Sequence, residues 1–252
     1  MDKYVFGEYD SEYNIGLLQT DIDIVYCIDL TQTMVPLIKR IQETVSVLPY
    51  LIQKKLFDQN RRNVRHLRTK IIGFRDIYAD GDYAFEISPF FRLPDEADKF
   101  ADFVNGLEAK GGGDIPENGL EALAMAMQTD WCKTDDENVG KRHIIVLFTD
   151  APAHPLEKSA NYSGKNYPEN MPKTYAELID MWYGQGSCAN GSVVTIDHNA
   201  AQLAIFAPEN SEPWVNIADD FDWTIFQDIE GDRDFITDEI VSMIYDYYEL
   251  AR

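Results

Sequence analysis

The run KRHIIVLFTD, residues 141–150, constrains the fold more than any other stretch of the chain. Ile144 to Phe148 are five consecutive apolar residues, the first three β-branched, and they leave no polar position to face water. A strand of this kind is buried on both faces, and such strands belong to parallel sheets covered by helices on either side. A second run, DIDIVYCID (21–29), has the same character over Ile24–Ile28 and also ends in an acid, Asp29. After it, Met34, Leu37, Ile38, Ile41, Val45, Leu48 and Ile52 recur at helical spacing. Pro36 suits a first turn, whereas Pro49 is expected to kink or break the helix.

The rest of the chain continues the alternation of strand and helix. RTKIIGFRD (68–76) reads as a second strand, and YAFEISPF (83–90) as a third, antiparallel to it after the turn-forming ADGD. A helix is expected over 94–107, and the loop GGGDIPENG (111–119) opens another that carries Leu120, Leu123, Ala124 and Met127. Strands are expected at 200–208 and 223–229, joined by a helix at 213–221, with a periodic helix at 234–250. Residues 152–197 are rich in Asn, Gly, Pro and Tyr and read as a long loop insertion with one helix at 173–184. The expectation is one α/β domain over 1–252, with its core at about 20–250. Its fold would be a Rossmann-like, doubly wound, mostly parallel sheet with one antiparallel edge strand and helices on both faces.

Charge limits the partners. With 44 acidic and 22 basic residues the net charge is −22, which repels nucleic-acid phosphates and anionic lipid, so neither is expected to bind. No apolar run approaches the roughly 20 residues of a membrane span. The first residues hold no long apolar stretch, so no signal peptide is expected. Cys27, Cys132 and Cys188 are odd in number and lack zinc-type spacing. These features together fit a cytoplasmic protein with free thiols.

Three segments deliver polar groups to the carboxyl ends of the strands, where open α/β sheets bind ligands. They are CIDLTQT (27–33), GGGDIPE (111–117) and FTDAPAH (148–154). Asp29, Thr31 and Thr33 alternate, so in extended backbone they project to one side. A carboxylate and two hydroxyls are hard oxygen donors that suit Mg2+ or Mn2+ rather than zinc or copper. Asp150 and Glu117 can add charge from the other loops. Each residue also has a plain structural role open to it. Thr33 could cap a helix, Asp150 could shape a turn, and Glu117 could complement a helix dipole.

DLTQT at 29–33 resembles the D-x-[ST]-x-[ST] motif of von Willebrand factor A domains, with their metal-ion-dependent adhesion site. GFRD (73–76), GGGDIPE and FTDAPAH follow in the order found in the subset associated with alpha-kinases, and DIVYCIDLTQTM and GGGDIPENGLEAL resemble stretches of integrin β subunits. The resemblance implies metal ligands at Asp29, Thr31 and Thr33, Asp150 in or behind them, and Glu117 where many members use a threonine. It implies that Asp114 serves a neighbouring cation site. The function implied is a non-enzymatic, metal-dependent protein–protein interaction module that binds a partner's Asp or Glu. Two alternatives stand beside it. One is a metal-dependent phosphotransferase or phosphatase, although Thr31 stands where such enzymes place a second acid. The other is a scaffold with a vestigial metal site. His154, beside a proline and without an evident nucleophile, reads as structural. The sequence names neither the partner nor the oligomeric state.

Overall fold

The computed structural model describes residues 18–58, 62–113, 115–134, 136, 139–162, 164, 167–185 and 195–229. In chain order these form β1 (Leu18–Asp29), α1 (Val35–Asp58), β2 (Arg62–Phe74), α2 (Ile77–Asp80), β3 (Phe85–Ile87), β4 (Phe91–Leu93) and α3 (Ala97–Gly106). There follow α4 (Gly119–Met127), β5 (Val139–Phe148), α5 (Leu156–Ser159), α6 (Tyr175–Trp182), β6 (Ala201–Ala207), α7 (Trp214–Asp220) and β7 (Thr224–Asp228). The expected C-terminal helix at 234–250 lies outside the described residues.

The strands make one seven-stranded sheet in the order β3-β2-β1-β5-β6-β7, with β4 also paired to β2. All pairings from β2 across to β7 are parallel; β3 and β4 run antiparallel to β2. The fold is a doubly wound α/β sheet with one antiparallel edge. That edge was expected as a single strand over 83–90, but it is split into two short ones. The interruption falls at Ser88 and Pro89. The Ser88 hydroxyl accepts from the Ile71 amide at 2.9 Å, and Pro89 has no N–H to give to a ladder.

Alternation along β1 builds two cores. Ile22, Ile24, Tyr26 and Ile28 face one side, where Ile41, Val45, Leu48 and Ile52 of α1 and Phe100 and Val104 of α3 pack on them. Val25 and Cys27 face the other, against Leu120 and Leu123 of α4, Leu178 and Trp182 of α6, and Trp214 and Ile217 of α7. Of the kink or break expected at Pro49, the break does not occur, and α1 runs on through that residue. Its apolar stripe, buried on both sides of that residue, holds the helix on the sheet across the missing hydrogen bond. The segment 152–197 carries α5 and α6 and adds Met171, Leu178, Met181, Trp182 and Ile196 to the second core. No helix among the described residues is long and apolar enough to cross a membrane.

Candidate metal centre

From β1 the chain winds outward through β2 to β3, then returns to β5 on the other side of β1 and winds outward again. The reversal leaves a crevice beyond the carboxyl ends of β1 and β5, where neighbouring loops part in opposite directions. Asp29 ends β1, and Thr149 and Asp150 follow β5, so strand order alone brings them together.

The Asp29 side chain is fully buried, and three donors fix it. The Thr31 amide gives a hydrogen bond to Oδ1 at 2.9 Å, the Thr31 hydroxyl to the same oxygen at 2.7 Å, and the Thr149 hydroxyl to Oδ2 at 2.7 Å. The Thr33 hydroxyl does not cap α1; it donates to Asp150 Oδ1 at 3.0 Å and lies 3.1 Å from the Thr31 hydroxyl. Asp29 and Thr31 are buried, Asp150 is half-buried and Thr33 is exposed, so the group opens to solvent on the Thr33 side.

Asp29 Oδ1, Thr31 Oγ1, Thr33 Oγ1 and Asp150 Oδ1 form a chain of three contacts, but its two hydroxyls own only two protons. With those protons given to the carboxylates, the two hydroxyl oxygens meet lone pair to lone pair. The four oxygens are acceptor-rich and suit a cation. Their separations of 2.7, 3.1 and 3.0 Å match the edge of an Mg2+ octahedron, about 2.9 Å for metal–oxygen bonds of about 2.05 Å. Burial raises the Asp29 carboxyl to about 6, against the opposing bonds from Thr31 and Thr149. Burial also raises Asp150, against the bond from Thr33.

Glu117 closes the site from the second loop. Its amide donates to the Pro152 carbonyl at 3.0 Å and its carbonyl accepts from the His154 amide at 2.8 Å, a short parallel bridge between the segment before α4 and the segment after β5. Only 5% of Glu117 is exposed, and Oε2 has no hydrogen-bond partner among the described residues. Burial, and then the charges of Asp29, Asp76, Asp80 and Asp150, push its carboxyl up to about 8. Gly112 separates Glu117 from Thr31 at a φ of +76°. A Cβ there would stand 3.0 Å from the Thr31 side chain and 3.3 Å from Glu117 Oε1, so both the conformation and the close approach require glycine. Asp114 lies outside the described residues.

A surrounding set of polar residues, invisible as such in the sequence, holds the loops. Arg75 is buried and donates to the carbonyls of Leu30, Lys110, Tyr83 and Glu108, tying the loop after β1 to the glycine loop. Asp80 accepts from the Gly112 amide at 2.8 Å. The Asn118 side chain accepts from the Ile77 amide at 2.7 Å. His154 is buried, with Asp76 Oδ1 at 3.3 Å and Lys158 Nζ at 3.1 Å from its ring nitrogens. Thr149 was also missed, and its one sequence signal is its position directly before Asp150. Among the described residues no group of three or more His, Cys, Asp and Glu side chains is arranged to hold a metal.

No protein-family model matches the chain, and no curated protein matches it significantly. Solved structures do share its fold. The open conformation of the pilus adhesin SpaC from Lactobacillus rhamnosus GG aligns over 90% of this chain and 30% of its own, with 12% identity and a TM-score of 0.50. Proximal thread matrix protein 1 from the mussel byssus aligns over 90% of this chain and 49% of its own, with 7% identity and a TM-score of 0.51. The chain therefore spans less than half of either protein, and at these identities the likeness is one of fold.

Proposed function

We propose that this chain is a non-enzymatic binding module of the von Willebrand factor A type. Asp29, Thr31, Thr33 and Asp150, with Glu117 beside them, would hold Mg2+ or Mn2+ and receive an Asp or Glu of a partner protein. The observation that carries this reading is the row of four oxygens with two protons between them, open to solvent at Thr33. A divalent cation bound there supplies a Lewis-acidic position for one further anionic oxygen. Because the two hydroxyls are neutral, the donor set leaves positive charge uncompensated, which favours that extra anion. The glycine loop brings Glu117 close without a side chain in the way.

Phosphotransfer is the weaker reading, because Thr31 stands where such an enzyme needs a second acid as general acid and base. We place the module in the cytoplasm, a reading supported by the free thiols of Cys27 and Cys132; Cys188 lies outside the described residues.

An affinity capture from the native source tests the function. Wild-type bait in Mg2+ is expected to retain proteins that EDTA releases and that Asp29→Ala bait never retains. The same proteins on both baits, indifferent to EDTA, would contradict the reading.

A further inference from the structure

The stretch RRNVRHLRTK, residues 61–70, holds Arg61, Arg62, Arg65, Arg68 and Lys70 and no acid, in a chain where acids outnumber bases 44 to 22. β2 begins in this stretch, so Arg65 and Arg68 lie at the amino end of the sheet, away from the metal centre. There they line a cleft of about 340 Å3 with Arg92 of β4 and Lys133 of the loop after α4; Asp21 and Asp130 are its acids. Two of the four cations are engaged. Arg65 gives Nε and Nη2 to Asp21, and Arg68 gives Nε and Nη2 to the buried Asp23. The other two are not: among the described residues the side chains of Arg92 and Lys133 make no hydrogen bond or ion pair. Lys70, next along the same face of β2, is a third. It is half-buried, 5.6 Å over the Phe90 ring, with no carboxylate paired to it among the described residues, and burial lowers its ammonium. Arg92 stands directly opposite Arg68 across the antiparallel pair, a placing of like charges that costs stability. The exposed acids nearby, Asp130 and Asp136, act on Arg68 and Arg65.

The arrangement of these cations selects the anion. A single phosphate is best held by a guanidinium fork, and the forks of Arg65 and Arg68 are already closed on Asp21 and Asp23. A long polyanion such as a nucleic acid would run past the cleft onto a surface of net charge −22 and be repelled there. The unpaired cations belong to three separate segments, Lys70 to β2, Arg92 to β4 and Lys133 to a loop, which suits several carboxylates spaced along one short chain. We propose that this cleft docks an acidic segment of a partner protein, with several Asp or Glu side chains close together in its sequence. Lys70, Arg92 and Lys133 receive those carboxylates, and the paired Arg65 and Arg68 form the fixed floor of the cleft. The inference is independent of the metal-dependent reading, since the cleft lies at the other end of the strands. It gives the chain a second binding face.

Fluorescence anisotropy of a rhodamine-labelled hexaglutamate peptide, titrated with the full chain in EDTA, tests the cleft with the metal centre out of use. Wild type is expected to bind the peptide at low salt and to weaken as salt rises. The double variant Arg92→Ser with Lys133→Ser changes two exposed side chains and is expected to bind about ten-fold more weakly. A control double variant, Lys39→Ser with Lys173→Ser, removes the same charge from exposed positions on α1 and before α6 and is expected to bind as wild type does. Equal weakening in the two double variants would overturn the cleft, because general charge would then account for the binding. No binding of hexaglutamate to wild type would overturn it as well. Inorganic phosphate that displaces the labelled peptide at lower concentration than unlabelled hexaglutamate does would replace the acidic segment with a small oxyanion. None of these outcomes bears on the metal centre, which EDTA keeps empty throughout.

Discussion

Millimolar Mg2+ is expected to raise the melting temperature of the wild-type protein, and Asp29→Asn, which keeps the side chain's shape without its charge, is expected to remove that rise. A ligand that binds only the folded state adds RT ln(1 + [L]/Kd), about 1 kcal/mol at a few-fold above Kd, or about 2–4 °C for a chain of this size. The rise depends on pH with a definite sign. Asp29 is raised from 3.8 to about 6 and Glu117 from 4.5 to about 8. Between those limits the metal-free folded state holds more protons than the unfolded chain, so its stability falls as pH rises through the window. A cation binds the deprotonated carboxylates, so its stabilisation grows as pH rises through 6. The shift should be larger at pH 8 than at pH 5.5. An equal shift in wild type and Asp29→Asn, or a larger shift at the lower pH, would contradict the site.

Trp214→Ala is expected to be the most damaging single truncation near the site. The indole is fully buried in α7 and packs so closely on Gly119, at the start of α4, that a Cβ there would come within 2.7 Å of it. Its Nε1 donates to the Ala151 carbonyl at 2.9 Å, one residue after Asp150. Truncating a buried aromatic costs about 3–5 kcal/mol, which at about 2–4 °C per kcal/mol lowers the melting temperature by about 6–20 °C. Trp214→Phe keeps most of the packing and loses one hydrogen bond, at about 0.5–1.5 kcal/mol, because the Ala151 carbonyl still has the Thr149 hydroxyl at 3.2 Å. Thermal melts of both variants check the order. A loss below about 1 kcal/mol for Trp214→Ala would mean that the indole is not packed as described.

What the sequence revealed was local, and what it concealed was set by tertiary contact. Ile24–Ile28 and Ile144–Phe148 announced β1 and β5 because a strand buried on both faces cannot hide its composition. The grouping of Asp29, Thr31 and Thr33 was legible, but its geometry was not, because β1 ends at Asp29 and Thr33 lies in a short 3-10 helix, Gln32–Met34, rather than in extended backbone. The continuity of α1 through Pro49 was not legible either, since the helix is held there by packing on the sheet rather than by propensity. Thr149 and Arg75 were likewise silent. Each does its work by reaching a residue or carbonyl far along the chain, Thr149 to Asp29 and Arg75 to Leu30 and Glu108. The thin apolar content of 152–197 masked Trp182 and Met181, which are fully buried and complete the second core.

The most direct measurement is of bound Mn2+, whose free ion gives an electron paramagnetic resonance signal that is lost on binding. Titrated into the metal-free wild-type chain, Mn2+ should bind at one site that Mg2+ competes for. Asp29→Asn and a Thr31→Val, Thr33→Val double variant should leave that Mn2+ free. Acetate, standing in for a partner's carboxylate, should then lower the water-proton relaxation of the bound ion by displacing water from it. Mn2+ held equally by wild type and Asp29→Asn would contradict the assignment of Asp29, Thr31, Thr33 and Asp150 as a metal site that recognises a carboxylate.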